Sequence, residues 1–567
     1  MNKHAILHTP DSGKFCFPVS INEVSLRLRV SCADIYESIT VVYGVKYNFF
    51  EKQNREILKK RFCDGTYDYY TTNLELDDVR LVYVFEIVHN GKTYYFCEDG
   101  LKEKYDFSKA YFNSFQLPYI NSADVHEEVQ WMREAVFYQI FVDRFARGDA
   151  TKCEKYIDQK WNDIPTPKTF AGGDIKGVIE KLDYIKNLGC NAIYLTPIFR
   201  SKSNHKYDIS DYYNVDKHFG SNKDLKKLVE TAHNKGMKIM LDAVFNHCSE
   251  DLNEWQDVVK NGKKSKYHDW FIIRGDKPTK NPLNYECFNS CTYMPKFNTS
   301  NKEVQRFLND IASYYIKEYD IDGLRLDVSD EVSKDYWRNF RKIVKELKSD
   351  CVIIGENWHD SSPYLQGDQF DGIMNYAFTK ICYDYFLDEK IDAVGLGHAL
   401  SALLMRSSNQ ANRMMLNLLD SHDTHRFLTM VEGDKDKLAT ALALCYMYIG
   451  APMIYYGTEI ELNGGYDPDC RRTFDWNKLD EKIQTKEIIS ILSKLKERNE
   501  LMNGEISFAT DAELFVLNRI SEKGHLRLLI NNSSKNVGHE LKGKLLCSHN
   551  YDGKSIHKTG FIIEEVK

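Results

Sequence analysis

The sequence predicts an α/β protein. Its centre is a (β/α)8 TIM barrel with a polar insert after the third strand, preceded by an N-terminal β-sandwich and followed by a C-terminal all-β domain. Three observations predict this. Between residues 134 and 504, eight short apolar runs alternate with stretches whose apolar residues recur at helical spacing. Several of those runs end in charged or imidazole side chains, as strands do where they open onto the C-terminal face of a barrel. Before residue 123 and after residue 504 the helical spacing stops and period-two alternation replaces it.

Residues 1–122 hold alternating runs at 24–30, 38–44 and 81–88, and His89-Asn90-Gly91-Lys92 is a hairpin turn leading into 93–96. Short strands at this spacing indicate a sandwich. Residues 123–133 are polar enough for a linker. The barrel strands follow at 135–143, 191–197, 238–244, 323–328, 352–356, 370–375, 414–420 and 452–456. Helices are predicted between them at 173–188, 225–236, 304–319, 332–347 and 438–449, the second of these stopped by Gly236. The insert spans 248–300 and is rich in Asn, Lys and aromatic residues. Runs at 513–519 and 526–531 give the C-terminal domain of 505–567 its strands.

Composition excludes some functions. A net charge of -7 offers no basic face for nucleic acid. No run of 18 apolar residues is present, so no membrane span is expected. The first ten residues lack an apolar signal core, and the 14 Cys are scattered, the one close pair (Cys287 and Cys291) having no second pair or His at zinc-site spacing. A cytoplasmic protein with reduced thiols is the reading.

The chemistry sits at strand ends. Gly323-Leu324-Arg325-Leu326-Asp327-Val328 sets two charges two residues apart, hence on one face of a strand. Alone, Arg325 and Asp327 read equally well as a buried structural ion pair. Other strand ends add Asp242, Asn246 and His247, then Glu356, then His422 and Asp423. Carboxylates converging on one barrel mouth repel unless a cation sits among them, and Arg325 supplies it. Retaining glycoside hydrolysis needs such a set: a nucleophile, an acid/base and a third carboxylate on the sugar hydroxyls. Asp327 suits the nucleophile, kept ionised and oriented by Arg325. Glu356 suits the acid/base, because the apolar run before it raises its pKa. Asp423 suits the third role, with His247 and His422 as hydrogen-bond donors.

These residues also carry a family resemblance. The stretches Asp242-Ala243-Val244-Phe245-Asn246-His247, Gly323-Leu324-Arg325-Leu326-Asp327, Gly355-Glu356 and Ser421-His422-Asp423 resemble, in order, the four signature regions of the α-amylase family, glycoside hydrolase family 13. The resemblance implies Asp327 as nucleophile, Glu356 as acid/base and Asp423 as transition-state stabiliser, with Asp242 and Arg325 beside the substrate. Met294-Pro295-Lys296-Phe297-Asn298 is similar to the MPKLN stretch of the neopullulanase, cyclomaltodextrinase and maltogenic amylase group, and Asp327-Val328-Ser329-Asp330-Glu331 to its DVANE, which brings Glu331 to the substrate. Tyr207, in Asn204-His205-Lys206-Tyr207-Asp208, resembles a sugar-stacking residue, Trp358 a subsite platform, and Asp467 and Arg471 residues on the non-reducing-end sugar. Each has a plainer reading, as packing for the aromatics and a surface ion pair for Asp467 and Arg471.

The resemblance implies cleavage of α-1,4 bonds in cyclodextrins, maltodextrins or pullulan with some transglycosylation. A glucan transferase of the same family is the alternative, and a non-catalytic sugar-binding barrel the remote one. It also implies a homodimer in which the N-terminal module packs over a partner's site. No cofactor is required. The family's calcium loop keeps Asp149 and Asp174, but Arg147, Lys152 and Cys153 stand where oxygen ligands belong, so the calcium site is weak or lost, with Lys152 as a replacement charge.

Overall fold

The computed structural model describes the chain except Asp11, Ser12, Ala150, Cys153, Lys567 and the side chain of Asp480. The N-terminal residues form two antiparallel sheets whose facing sides close on Leu26, Leu28, Ile39, Val41, Tyr83 and Phe85. Alternation along Glu23–Ser31 and Leu81–His89 puts these side chains inward. In the hairpin after Leu81–His89, Asn90 and Gly91 take φ of 52° and 69°, the left-handed pair of a two-residue turn.

The barrel strands, labelled β1 to β8 here, are Phe137–Ile140, Ala192–Leu195, Lys238–Ala243, Gly323–Leu326, Val352–Gly355, Gly372–Ile373, Leu416–Leu418 and Ala451–Tyr455. They pair in parallel in the order β6-β5-β4-β3-β2-β1-β8-β7. The seam between β6 and β7 is one bridge, Met374 to Leu416, with the Asn375 amide donating to the Leu416 carbonyl at 2.8 Å. A Cβ at Gly372 would lie 1.9 Å from the Met414 carbonyl oxygen, so only glycine lets β6 approach closely enough to close the ring. Inside the lower barrel, Phe137, Tyr194, Met240, Val352, Met374 and Leu416 pack with Met132 of the short helix Gln130–Glu134, which plugs the bottom from within the stretch expected as a linker.

The helix expected over 173–188 is two helices, Ile175–Glu180 and Leu182–Asn187, because Lys181 leaves the helical region at φ −100°, ψ 4°. Asn222–Asn234 starts in a Ser221/Asp224 capping box. In the insert, Trp255, Phe271, Tyr285 and Phe297 pack on one another and join the barrel core, and the bridge His247–Lys296 holds the insert against the end of β3. The C-terminal domain is one antiparallel sheet on strands that include Leu514–Ser521, Gly524–Asn531 and Ser555–Val566. No helix among the described residues is long and apolar enough to cross a membrane. The described cysteines are all free.

Candidate active site

Residues from β3, β4, β5 and β7 meet at the C-terminal mouth of the barrel. Arg325, fully buried, is the hub. Its Nη1 lies 3.0 Å from both Asp242 oxygens and 2.8 Å from Asp327 Oδ1, and its Nη2 lies 2.9 Å from Glu356 Oε2 and 3.8 Å from Asp423 Oδ2. One guanidinium thus gathers four carboxylates. Asp327 and Glu356 sit on its two Nη atoms.

The backbone after Asp327 is strained for this purpose. Val328 is β-branched yet sits at φ 45°, ψ 46°, a left-handed conformation costing roughly 1–3 kcal/mol. That turn aims the Val328 amide at Glu356 Oε2, 3.0 Å away. Trp358 Nε1 donates to the other Glu356 oxygen at 3.2 Å, and the Trp358 ring stacks on Tyr376 with centroids 3.7 Å apart. Asp327 Oδ2 has no hydrogen-bond partner among the described residues; His247 Nε2, itself unpartnered, lies 3.9 Å from it.

Burial dominates the electrostatics. It pushes the Asp327 carboxyl well up, Arg325 pulling against it while Glu356, Asp242 and Asp423 add to the rise. Burial also raises Glu356, opposed by Arg325, the Val328 amide and Trp358, and it raises Asp242 to about 6 despite Arg325 and two tyrosines. For Asp242, Asp327 and Glu356 alike, Arg325 is the main influence that favours the ionised form, set against the burial that opposes it. His247 is lowered to about 3 by burial and by the positive charge of Lys296.

Asp327, Glu356, Asp423, His247, Tyr207, Glu331, Trp358, Asp467 and Arg471 line one cleft of about 790 Å³. Asp242, Arg325 and His422 are buried beside this cleft, paired with or hydrogen-bonded to residues that line it. Tyr207 donates to Asp242 Oδ2 at 2.9 Å, hydrogen-bonds His422 Nε2 and stacks on the His422 ring. Asp423 is fixed by His422 Nε2 at 3.1 Å and Arg471 Nη2 at 3.3 Å, and Arg471 also pairs with Asp467 at 2.8 Å. Glu331 pairs with Lys296 Nζ at 3.0 Å, and Lys296 also bonds Asn246.

Sequence reading missed Tyr194, whose hydroxyl donates to Asp242 at 2.6 Å, and Phe288, which stacks on His247. Tyr194 sits in an apolar strand, where its inward alternation was the only signal. Phe288 lies in the irregular insert, where no period marks which side chains face the cleft.

Asp149 and Asp174 do not converge on a cation site. Asp149 is exposed and accepts from the Thr151 amide at 2.8 Å. Asp174 caps Ile175–Glu180 through Gly177 N, and its other oxygen pairs with Lys152 Nζ at 2.9 Å. The Lys152 ammonium also reaches the carbonyls of His218 and Gly172 at 3.3 and 3.5 Å. An ammonium already sits among the oxygens a calcium ion would need, so these residues do not fit the metal. Cys153 lies outside the described residues.

The chain is similar to known proteins over most of its length. The sequence matches the family described as "Alpha amylase, catalytic domain" over residues 139–501 and "Alpha amylase, N-terminal ig-like domain" over residues 1–121. A cyclomaltodextrinase of Thermoanaerobacter pseudethanolicus is 41% identical, covering 94% of this chain and 93% of its own. An intracellular maltogenic amylase of Bacillus subtilis (strain 168) is 40% identical, covering 88% and 86%. A solved cyclomaltodextrinase superposes with a TM-score of 0.91 at 33% identity, covering all of both chains.

Proposed function

The chain belongs to the α-amylase family and is a glycoside hydrolase, and from that premise we propose that it cleaves α-1,4-glucosidic bonds of cyclodextrins, maltodextrins or pullulan by double displacement. The observation that carries this is the hub: Asp327, Glu356 and Asp423, from three separate strand ends, lie 2.8, 2.9 and 3.8 Å from one buried guanidinium in one cleft.

In this reading Arg325 clamps Asp327 Oδ1, which leaves the unpartnered Oδ2 free to attack the anomeric carbon. The bond to the leaving sugar breaks as the Glu356 proton passes to its oxygen. Water, losing a proton to Glu356, then displaces the Asp327 carboxylate and restores both groups. Asp423 and His247 hold sugar hydroxyls, Tyr207 and Trp358 stack on sugar faces, and Asp467 and Arg471 bound the non-reducing end. Glu331, held by Lys296, faces the departing sugar or the incoming water. Asp242, Arg325 and His422 act from beside the cleft as positioning residues. No step needs a metal.

The test is reducing-end release from β-cyclodextrin, pullulan and soluble starch, each with and without a chelator. Turnover on β-cyclodextrin that the chelator leaves unchanged is the expected result. Release from none of the three refutes the reading. Products longer than the substrate, without net reducing ends, assign a transferase instead.

A homodimer is part of the proposal. The N-terminal module exposes Tyr47, Tyr111, Phe112 and Tyr119, and a second copy of this chain is the occupant that reading supplies. Light scattering should return twice the 66.2 kDa of one chain, and a monomer mass at micromolar concentration counts against it. A cytoplasmic location is proposed on the free described thiols and the relative named as intracellular; recovery of the protein outside the cell would oppose it.

A further inference from the structure

We propose that Gln139 is a positioning residue for the reaction, its side-chain amide holding His422 as the tautomer that presents Nε2–H toward the cleft. Gln139 lies mid-strand in β1, fully buried inside the barrel between Tyr194 and Tyr455 of the neighbouring strands. A buried amide is costly unless hydrogen-bonded. The contact it makes is from Nε2 to His422 Nδ1, at 2.8 Å, and its Oε1 has no partner among the described residues. A glutamine in an otherwise apolar strand, with half its amide unsatisfied, is better explained by the imidazole it meets than by packing.

The direction of each hydrogen bond follows from the next. The Tyr207 hydroxyl donates its one proton to Asp242 Oδ2, so the Tyr207 oxygen is an acceptor toward His422. Asp423 Oδ2, 3.1 Å from the same ring nitrogen, also accepts. His422 Nε2 therefore carries the hydrogen. A neutral imidazole has one N–H, so Nδ1 is a bare acceptor and needs a donor, which only the Gln139 amide nitrogen supplies among the described residues. The ring is neutral because burial, with Arg325, Arg471 and His205 facing it, lowers its pKa far below the ordinary value. Asp423 and Tyr207 complete its surroundings. One chain of hydrogen bonds thus runs from β1 through His422, Tyr207 and Asp242 to Arg325 and on to Asp327.

The inference rests on the proposed roles of Asp423 and Tyr207, but its physical content is separable from them. Gln139→Leu removes the donor, and Gln139→Glu, at a pH where the new carboxyl is ionised (followed by its ¹³C shift), replaces it with an acceptor that demands Nδ1–H or an imidazolium. The first readout is the ¹⁵N imidazole signature of His422, assigned with a His422→Asn variant. The wild type should show the Nε2–H tautomer, and Gln139→Glu should show Nδ1–H or the charged ring, whether or not any glucan is cleaved.

The second readout is kinetic. Both variants should lose roughly 10–100-fold in kcat with KM little changed, by analogy with the loss seen when the hydrogen-bond partner behind a metal-bound imidazole is removed. Gln139→Glu should also move a limb of its pH–rate profile upward as His422 becomes easier to protonate. Unchanged Nε2–H in Gln139→Glu with the new carboxyl ionised overturns the proposal even if activity falls, because the loss is then merely structural. Wild-type kcat in both variants also overturns it. A shifted tautomer in a protein that cleaves none of the tested glucans upholds the hydrogen-bond assignment and removes only the reading it serves.

Discussion

Asp327→Asn should abolish turnover and leave the protein at least as stable as before. The substitution keeps the shape and lets the amide oxygen accept from Arg325 Nη1, as Oδ1 does now at 2.8 Å. It removes the unpartnered Oδ2 that would attack. Loss of a nucleophile that acts as part of a set costs on the order of 10⁴-fold or more in kcat.

The stability half follows from sign. Burial and neighbouring acids raise the Asp327 carboxyl in the folded state, so its ionisation opposes folding as pH climbs above the unfolded-state value of about 3.9. A neutral amide removes that opposition. Asp327→Asn should melt at or above the wild-type temperature at pH 7, with the difference closing near pH 4. Cyclodextrin turnover and melting curves at the two pH values check both parts. Survival of more than a percent of turnover would show that Asp327 is not the nucleophile. A large fall in melting temperature would show instead that its charge is needed to hold Arg325.

What was legible in the sequence was whatever has a period or a fixed offset. The barrel strands were visible because strands buried on both faces read as apolar runs, and Arg325 and Asp327 share a face because strand side chains alternate. The four carboxylates were found as strand-end residues. Their convergence depends on ring closure, and the closing contact at Met374 and Leu416 has no signature beyond Gly372. Less visible were residues acting through a second residue. Gln139 and Tyr194 look like strand filler until the hydrogen bonds to His422 and Asp242 are seen. The left-handed Val328 was hidden for the opposite reason. Local preference argues against that conformation for a β-branched residue, and only the site around it holds the turn. Lys152 could be read as a replacement charge, whereas its reach to the His218 carbonyl, 66 residues away, could not.

Arg325→Met should damage folding as well as catalysis, unlike Asp327→Asn. Arg325 is fully buried and is the cation shared by Asp242, Asp327, Glu356 and Asp423. Removing one partner of a buried ionic cluster leaves the others uncompensated, typically costing 3–5 kcal/mol. Here the acids can escape part of that cost by taking up protons. Arg325 is the foremost influence lowering Asp242, Asp327 and Glu356, so without it all three rise further. A raised folded-state pKa binds protons that the unfolded chain releases, so stability falls as pH climbs from the unfolded value toward the folded one. The variant should therefore be most destabilised at neutral pH and approach the wild type as pH drops toward about 4. Asp242, already raised to about 6 in the wild type, begins the loss before neutrality. Catalysis moves the same way: the acid limb of any residual rate shifts upward, because the nucleophile must ionise without its cation. Denaturant melts at pH 4.5 and 7.5 separate this account from a simple packing defect. A packing defect gives equal losses at both values, and that outcome would mean Arg325 is a strut in the barrel and not the charge on which the four acids depend.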